Sequence, residues 1–284
     1  MQPPRLQVCW NDSEDEFPLP AVARDIYGPF GFPPPPPDRP YIAANFAQSL
    51  DGRVAFADLP GQAGGDRIAQ SEADQWLAAM FRAHQDALLL GAGTLRAESG
   101  PDGRGYEYGQ LPEPWRSYRR EVLKLAPLQV IIATRTGVIP SDHRLFASRE
   151  TKVWVATTAS GARRLRSGTH PGAEVFVPNS GDAVEPRALA AWARQLGVRR
   201  LLCEAGPELY SQLFGAGLVD EEFRTIAMQV IGQAPSGAPA RPTAYGALSF
   251  LPETAPWHRI ISLHAARPYH LFLRLRRSER PRAG

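Results

Sequence analysis

Short apolar runs alternate along this chain with stretches whose apolar positions recur every three or four residues. Residues 42–47 read as a buried strand, followed by the turn Ser49-Leu50-Asp51-Gly52 and then Arg53-Val54-Ala55. Over residues 71–85, Trp76, Leu77, Met80 and Phe81 fall at helical spacing. Ser71 suits the N-cap, where its hydroxyl accepts from a first-turn amide. Further strands are expected at 87–90, 130–133, 153–156, 175–177, 201–203 and 223–227, with helices at 186–196 and 207–214. Short apolar strands separated by helices predict an α/β fold with a mostly parallel sheet covered on both faces. The end differs. Residues 259–263 and 269–275, separated by 265–268, predict an antiparallel hairpin that finishes the sheet.

The first 39 residues break the pattern. Prolines at 33–37 and two Phe-Pro steps favour extended polyproline structure, so this segment is expected to sustain neither a helix nor a central strand. It reads as a Pro-rich arm packed on a domain spanning 40–277, with 278–284 as a basic tail. A proline run also fits a ligand for a small adaptor domain, although no second repeat supports that use.

Composition changes little. The 284 residues are 43% hydrophobic and 21% charged, as in an ordinary globular protein. The net charge of +3 is small, and only Lys124 and Lys152 accompany thirty arginines, so the basicity reads as coding bias and no nucleic-acid partner is expected. The arginines of 274–282 read as a solvated terminus. Cys9 and Cys203 imply no disulfide framework or metal, and Cys203 closes an apolar strand as a small buried hydrophobe. No secretory signal or membrane span is evident, so the cytoplasm is the default expectation.

Three strand ends carry candidate chemistry. Leu88-Leu89-Leu90-Gly91-Ala92-Gly93-Thr94 sets two glycines straight after a strand, where bare backbone can approach a phosphate or a flat ring. A Rossmann fingerprint needs a third glycine and a helix, whereas Arg96-Ala97-Glu98 follows, so alone the segment equally fits a plain strand-to-loop turn. Leu202-Cys203-Glu204-Ala205-Gly206-Pro207 again ends a strand. Pro207 there opens a helix whose free amides can hold a pyrophosphate, and Glu204 points to the sheet edge where ligands of open α/β folds bind. Ala133-Thr134-Arg135 closes another strand with a guanidinium of the kind that meets the 2′-phosphate of NADP.

Taken with Ser49-Leu50-Asp51-Gly52-Arg53-Val54-Ala55, Phe81-Arg82-Ala83, Thr94-Leu95-Arg96-Ala97-Glu98 and Gly217-Leu218-Val219-Asp220-Glu221, these segments resemble in order and spacing the reductase domain of bacterial riboflavin biosynthesis. That family, the C-terminal domain of RibD proteins, lies within the dihydrofolate-reductase-like superfamily. The resemblance covers residues 40–277 and implies a three-layer α/β fold. It also implies hydride transfer from NADPH to the ribosyl C1′ of a 5-amino-6-(5-phosphoribosylamino)pyrimidine, giving the ribityl form, in a homodimer. Carried over, Ala47, Gly91, Ala92, Gly93, Thr94 and Glu98 would contact NADPH. Thr134 and Arg135 would lie near its 2′-phosphate, and residues 206–212, with Ala205, Gly206, Pro207, Glu208 and Leu209 foremost, would cradle its pyrophosphate. Arg82, Asp66 and Glu204 would face the substrate. The proton required when the sugar ring opens would come from Glu204, Asp51 or water.

The chain departs from the family in three places. It lacks the His-x-Glu and Pro-Cys-x-x-Cys ligands of the zinc deaminase often found with this reductase, so deamination is not expected of it. After Glu98 a Gly, Tyr and Arg-rich insertion runs to Trp115 where the family places a substrate-binding arginine, and Ala205 replaces a common glycine. Two other readings remain open on the sequence: a pterin or dihydrofolate reductase of the same fold, and a non-catalytic nucleotide-binding protein.

Overall fold

The computed structural model describes residues 2–59, 64–97, 105–106, 108–140, 142–166, 173–178 and 181–279. In chain order the elements are β1 (Gln7–Asn11), α1 (Ala21–Tyr27), β2 (Tyr41–Ser49), α2 (Asp66–Ala69), α3 (Glu72–Ala83), β3 (Ala87–Gly91), α4 (Ala92–Ala97) and α5 (Glu113–Glu121). There follow β4 (Gln129–Thr134), β5 (Val153–Thr157), α6 (Ala159–Arg166), β6 (Ala173–Phe176), α7 (Pro186–Gln195), β7 (Arg200–Cys203), α8 (Pro207–Gly215), β8 (Glu221–Ala227), β9 (Trp257–Ala266) and β10 (His270–Ser278). The described strands form one sheet in the order β1-β9-β10-β8-β2-β7-β3-β4-β5-β6. From β8 to β6 every pairing is parallel, while β10, β9 and β1 extend the sheet antiparallel. The α/β arrangement with a mostly parallel sheet and the terminal antiparallel hairpin expected from the sequence are both present.

Strand alternation sends side chains into two cores. Tyr41 and Ala43 of β2 join Trp76, Leu77, Met80 and Phe81 of α3, whereas Ile42, Ala44 and Phe46 meet Leu189, Trp192, Tyr210 and Phe214 of α7 and α8. Central residues such as Leu88, Leu89, Leu90 and Ile131 are fully buried, each worth about 1.5–3 kcal/mol of burial. Ser71 caps α3, its Oγ accepting from the Asp74 amide at 3.3 Å. Cys203 is fully buried and burial pushes its thiol up to about 12, in keeping with a packing role.

Several expectations need correction. The arm holds both a helix and a strand. The prolines flank residues 21–27 without interrupting them, Pro20 stands at the N-cap of α1, and Gly28 ends it at φ 87°. β1 is an edge strand with a single partner, so proline's exclusion from central strands is not violated. Phe17, Tyr27, Phe30 and Phe32 pack into the core, with ring centroids 5.4 Å apart for Tyr27–Phe30 and 5.2 Å for Phe30–Phe32.

The stretch after the glycine turn, expected as loop, is the helix α4 beginning at Ala92, although the third glycine of a Rossmann motif is still missing. α5 and α6 also form where no helix is expected.

Arg274 and Arg276 are buried, not part of a solvated tail. They alternate onto one face of β10, where Glu221 of β8 accepts from both and Glu14 of the arm accepts from Arg276 at 2.6 and 2.8 Å. Residues 280–284 lie outside the described region.

Candidate functional site

The C-terminal ends of β2, β7, β3 and β4 lie side by side in that order. They carry Ala47, Glu204, Gly91 and the Thr134-Arg135 pair respectively, four of the segments singled out from the sequence. At about 4.8 Å per strand step they span about 14 Å, the length scale of an extended dinucleotide.

The middle of this row is tightly connected. The Thr94 Oγ1 on α4 accepts from the Gly206 amide at 3.1 Å, which clasps the two glycine-bearing segments together. The Glu204 amide donates to the Leu89 carbonyl at 3.0 Å and so continues the β7 pairing one residue beyond the strand. Its carboxylate, with the side chain 8% exposed, receives Arg82 from the last turn of α3: Nε lies 2.9 Å from both oxygens and Nη2 2.8 Å from Oε2. Asn45 Nδ2 adds a bond to Oε1 at 3.4 Å. Sequence reasoning missed Asn45, although an amide inside the apolar run 42–47 is a visible signal.

Glycine at this row is not required by the protein's own packing. A methyl group built on Gly91, Gly93 or Gly206 meets no atom closer than 3.8 Å, and none of the three has positive φ. Bare backbone of this kind lets a phosphate or a flat ring approach closely. Gly161 is the contrast: a Cβ there would sit 2.1 Å from Thr157 Oγ1, so packing alone demands glycine. α8 opens at Gly206 with Pro207 in its first turn and no side chain capping it, leaving its first amides, at Glu208 and Leu209, for another acceptor. Ala92 and Ala205 are buried behind the turns.

At the β4 end, Thr134 Oγ1 is committed to the Gly137 amide at 3.2 Å. The Arg135 carbonyl accepts from Thr158 Oγ1 at 2.8 Å, while the Arg135 side chain is exposed at the row's edge. At the β2 end, α2 brings Asp66 near, and a Cβ on Gly65 would lie 3.9 Å from that of Ala47. Glu98 lies outside the described residues.

Asp51 is engaged within its own turn and the loop beside it. Its Oδ1 accepts from Ser49 Oγ at 2.7 Å and the Ile231 amide at 3.1 Å, and its Oδ2 from the Gly232 amide at 2.9 Å. Partial desolvation pulls its pKa up, but these bonds to the charged form outweigh it and hold the carboxyl below its ordinary value. Bonds on both oxygens let the carboxylate secure the turn.

Sheet order and strand-end chemistry together define an α/β protein whose candidate residues gather at the C-terminal ends of a mostly parallel sheet. The chain belongs to the RibD C-terminal domain family, whose sequence profile matches residues 40–242. Over 184 residues it is 32% identical to the 2,5-diamino-6-ribosylamino-4(3H)-pyrimidinone 5′-phosphate reductase of Archaeoglobus fulgidus, covering 64% of this chain and 78% of that protein. It is 25% identical over 198 residues to the riboflavin biosynthesis protein RibD of Escherichia coli, covering 70% of this chain and 51% of that protein, so it spans about half of that relative's length. Among solved structures, a pyrimidine reductase-like protein from Corynebacterium diphtheriae superposes with a TM-score of 0.65 at 20% identity, over 93% of this chain and 96% of the other.

Proposed function

We propose that this chain reduces the ribosyl C1′ of a 5-amino-6-(5-phosphoribosylamino)pyrimidine to the ribityl form, using NADPH, as a reductase of riboflavin biosynthesis. The observation that carries this reading is the Thr94–Gly206 clasp. It joins the two segments suited to a dinucleotide directly beside the Arg82–Glu204 pair, whose charges suit a polar, phosphorylated substrate. The relationship to the Archaeoglobus protein supports the substrate class. NADPH supplies the hydride. The chain's own part is to position: the first amides of α8 hold the pyrophosphate, the bare turn Gly91–Gly93 admits the cofactor, and Glu204 with Arg82 orients the pyrimidine ribotide.

Arg135 is the residue that selects NADPH over NADH. Replacing it with alanine is expected to weaken NADPH binding about 10- to 100-fold, the worth of charge-assisted bonds to one phosphate, with NADH affinity unchanged. Calorimetric titration of both cofactors against both proteins reads this, and equal wild-type affinity for NADH and NADPH removes the role.

The active form is a homodimer in the cytoplasm. No described helix is long and apolar enough to cross a membrane. On the sheet face opposite Phe272 and Arg274, Trp10 and Ile260 are 54% and 48% exposed, and Leu263, Leu271, Leu273 and Leu275 continue the apolar surface. A face of this kind suits a second copy. Light scattering should give twice the chain mass; the mass of one chain at micromolar concentration contradicts the dimer.

A further inference from the structure

Asp74, Ala78 and Arg82 recur every four residues on α3 and therefore share one stripe of the helix. All three keep partial exposure, while Trp76, Leu77, Met80 and Phe81 are buried. One end of the stripe is the Arg82–Glu204 pair. At the other end Asp74 Oδ1 accepts from Thr225 Oγ1. Thr225 stands on β8 directly beside Ala47 of β2, at the row of strand ends described above. An acidic side chain in the third helical position commonly reaches back to the N-cap amide. Asp74 instead crosses to the sheet, so capping does not account for its orientation.

We propose that Asp74 is the catalytic acid of the reductase, giving its proton to the ribose ring oxygen O4′ as the sugar opens. This rests on the pyrimidine-reductase reading above. The C1′–O4′ bond breaks with its electron pair going to O4′, which takes the proton from Asp74, while the lone pair of the glycosidic nitrogen forms a C1′=N bond. Hydride supplied by NADPH then adds to C1′, the π pair returns to nitrogen, and NADP+ is left. One proton is consumed per turnover, and solvent reprotonates Asp74.

Its surroundings suit the task. Desolvation is the largest influence and raises the Asp74 pKa, with the nearby charge of Asp66 on α2 adding to it. The Thr225 hydroxyl on β8, Arg82 on the same helix and His270 on β10 pull it down, and the net result is about 6. A carboxyl that holds its proton this close to neutrality fits general-acid work, whereas Asp51, held below its ordinary value, does not.

The test is kcat against pH for the wild type, Asp74→Asn and Thr225→Val, with NADPH affinity measured alongside. Wild-type kcat is expected to fall as pH rises through about 6, because the acid must be protonated to act. Asp74→Asn is expected to lose about 10²- to 10⁴-fold in kcat and this limb, with NADPH affinity retained. Thr225→Val, which removes a bond favouring the charged carboxylate, is expected to move the limb to higher pH. An active wild type accompanied by an equally active Asp74→Asn, or by a variant that loses NADPH affinity yet keeps the limb, overturns the proposal alone. A wild type that binds NADPH but turns over no pyrimidine overturns the underlying reading and this proposal with it.

Discussion

Replacing Glu204 with alanine is expected to lower kcat/KM for the pyrimidine substrate about 30- to 1000-fold, with NADPH affinity little changed. The Glu204 side chain is 8% exposed and Arg82 28%, and three short contacts join them. Truncating one member of a buried pair costs about 2–5 kcal/mol, largely because the other charge is left without its partner. Here that charge is the guanidinium expected to meet the substrate, so it swings out of the cleft and the loss falls on substrate recognition. Arg82→Ala should lose a similar factor, and the double variant little more than either single one, since the two residues act as a unit. Arg82→Lys should not rescue, because an ammonium cannot engage both carboxylate oxygens in the same plane. Steady-state kinetics with a parallel NADPH titration reads all four variants. Wild-type kcat/KM in Glu204→Ala would contradict the placement of substrate at this pair.

The largest stability effect is expected at Glu221. Its side chain and that of Arg274 are each 0% exposed, and Glu221 accepts from Arg274, from Arg276 and from the Tyr41 hydroxyl at 2.9 Å. Arg274 also donates to the Gly31 carbonyl at 2.6 Å and to Ser13 Oγ at 3.0 Å, and its guanidinium carbon lies 4.8 Å from the Phe32 ring centroid. Glu221→Ala removes the anion and leaves two arginines inside the fold, which should cost about 3–5 kcal/mol. Since Ser13, Gly31 and Glu14 all belong to the arm, that segment should also become the first cut by a protease. Chemical denaturation measures the first effect and limited proteolysis the second. An unchanged denaturation midpoint would show that the network is not holding the arm.

The same network shows where sequence reading stops. Parallel strands are legible because apolar runs such as 87–90 and 130–133 are fully buried and bounded by polar turns. Glu204 and Arg82 stand out as polar residues at an element's tip or last turn. Arg274 and Arg276 look like part of a basic end because the residues that neutralise them lie far off in sequence: Glu221 meets them through the pairing of β10 with β8, and Glu14 meets Arg276 only once the arm packs on the sheet. α1 is hidden by proline-rich neighbours that bound it, and α4 by Gly91, which closes β3 just before it, and by Gly93 inside it, whose low helix propensity is overridden once Ala92 and Leu95 are buried. Asp74 reads as an ordinary first-turn acid. Only the pairing of β2 with β8 brings Thr225, 151 positions away, against it. The substrate side of the cleft is the least legible part, since the stretch after Glu98 departs from the family where a substrate arginine is expected.

The central claim is that this cleft performs NADPH-dependent reduction of a phosphoribosylaminopyrimidine. Its most direct test is to follow nicotinamide absorbance while purified protein is mixed with NADPH and that substrate, in deaminated and diamino forms, with the product identified by mass. The account predicts stoichiometric loss of NADPH and a product two hydrogens heavier with an opened ribityl chain. NADPH that binds but is not consumed with either pyrimidine would contradict it.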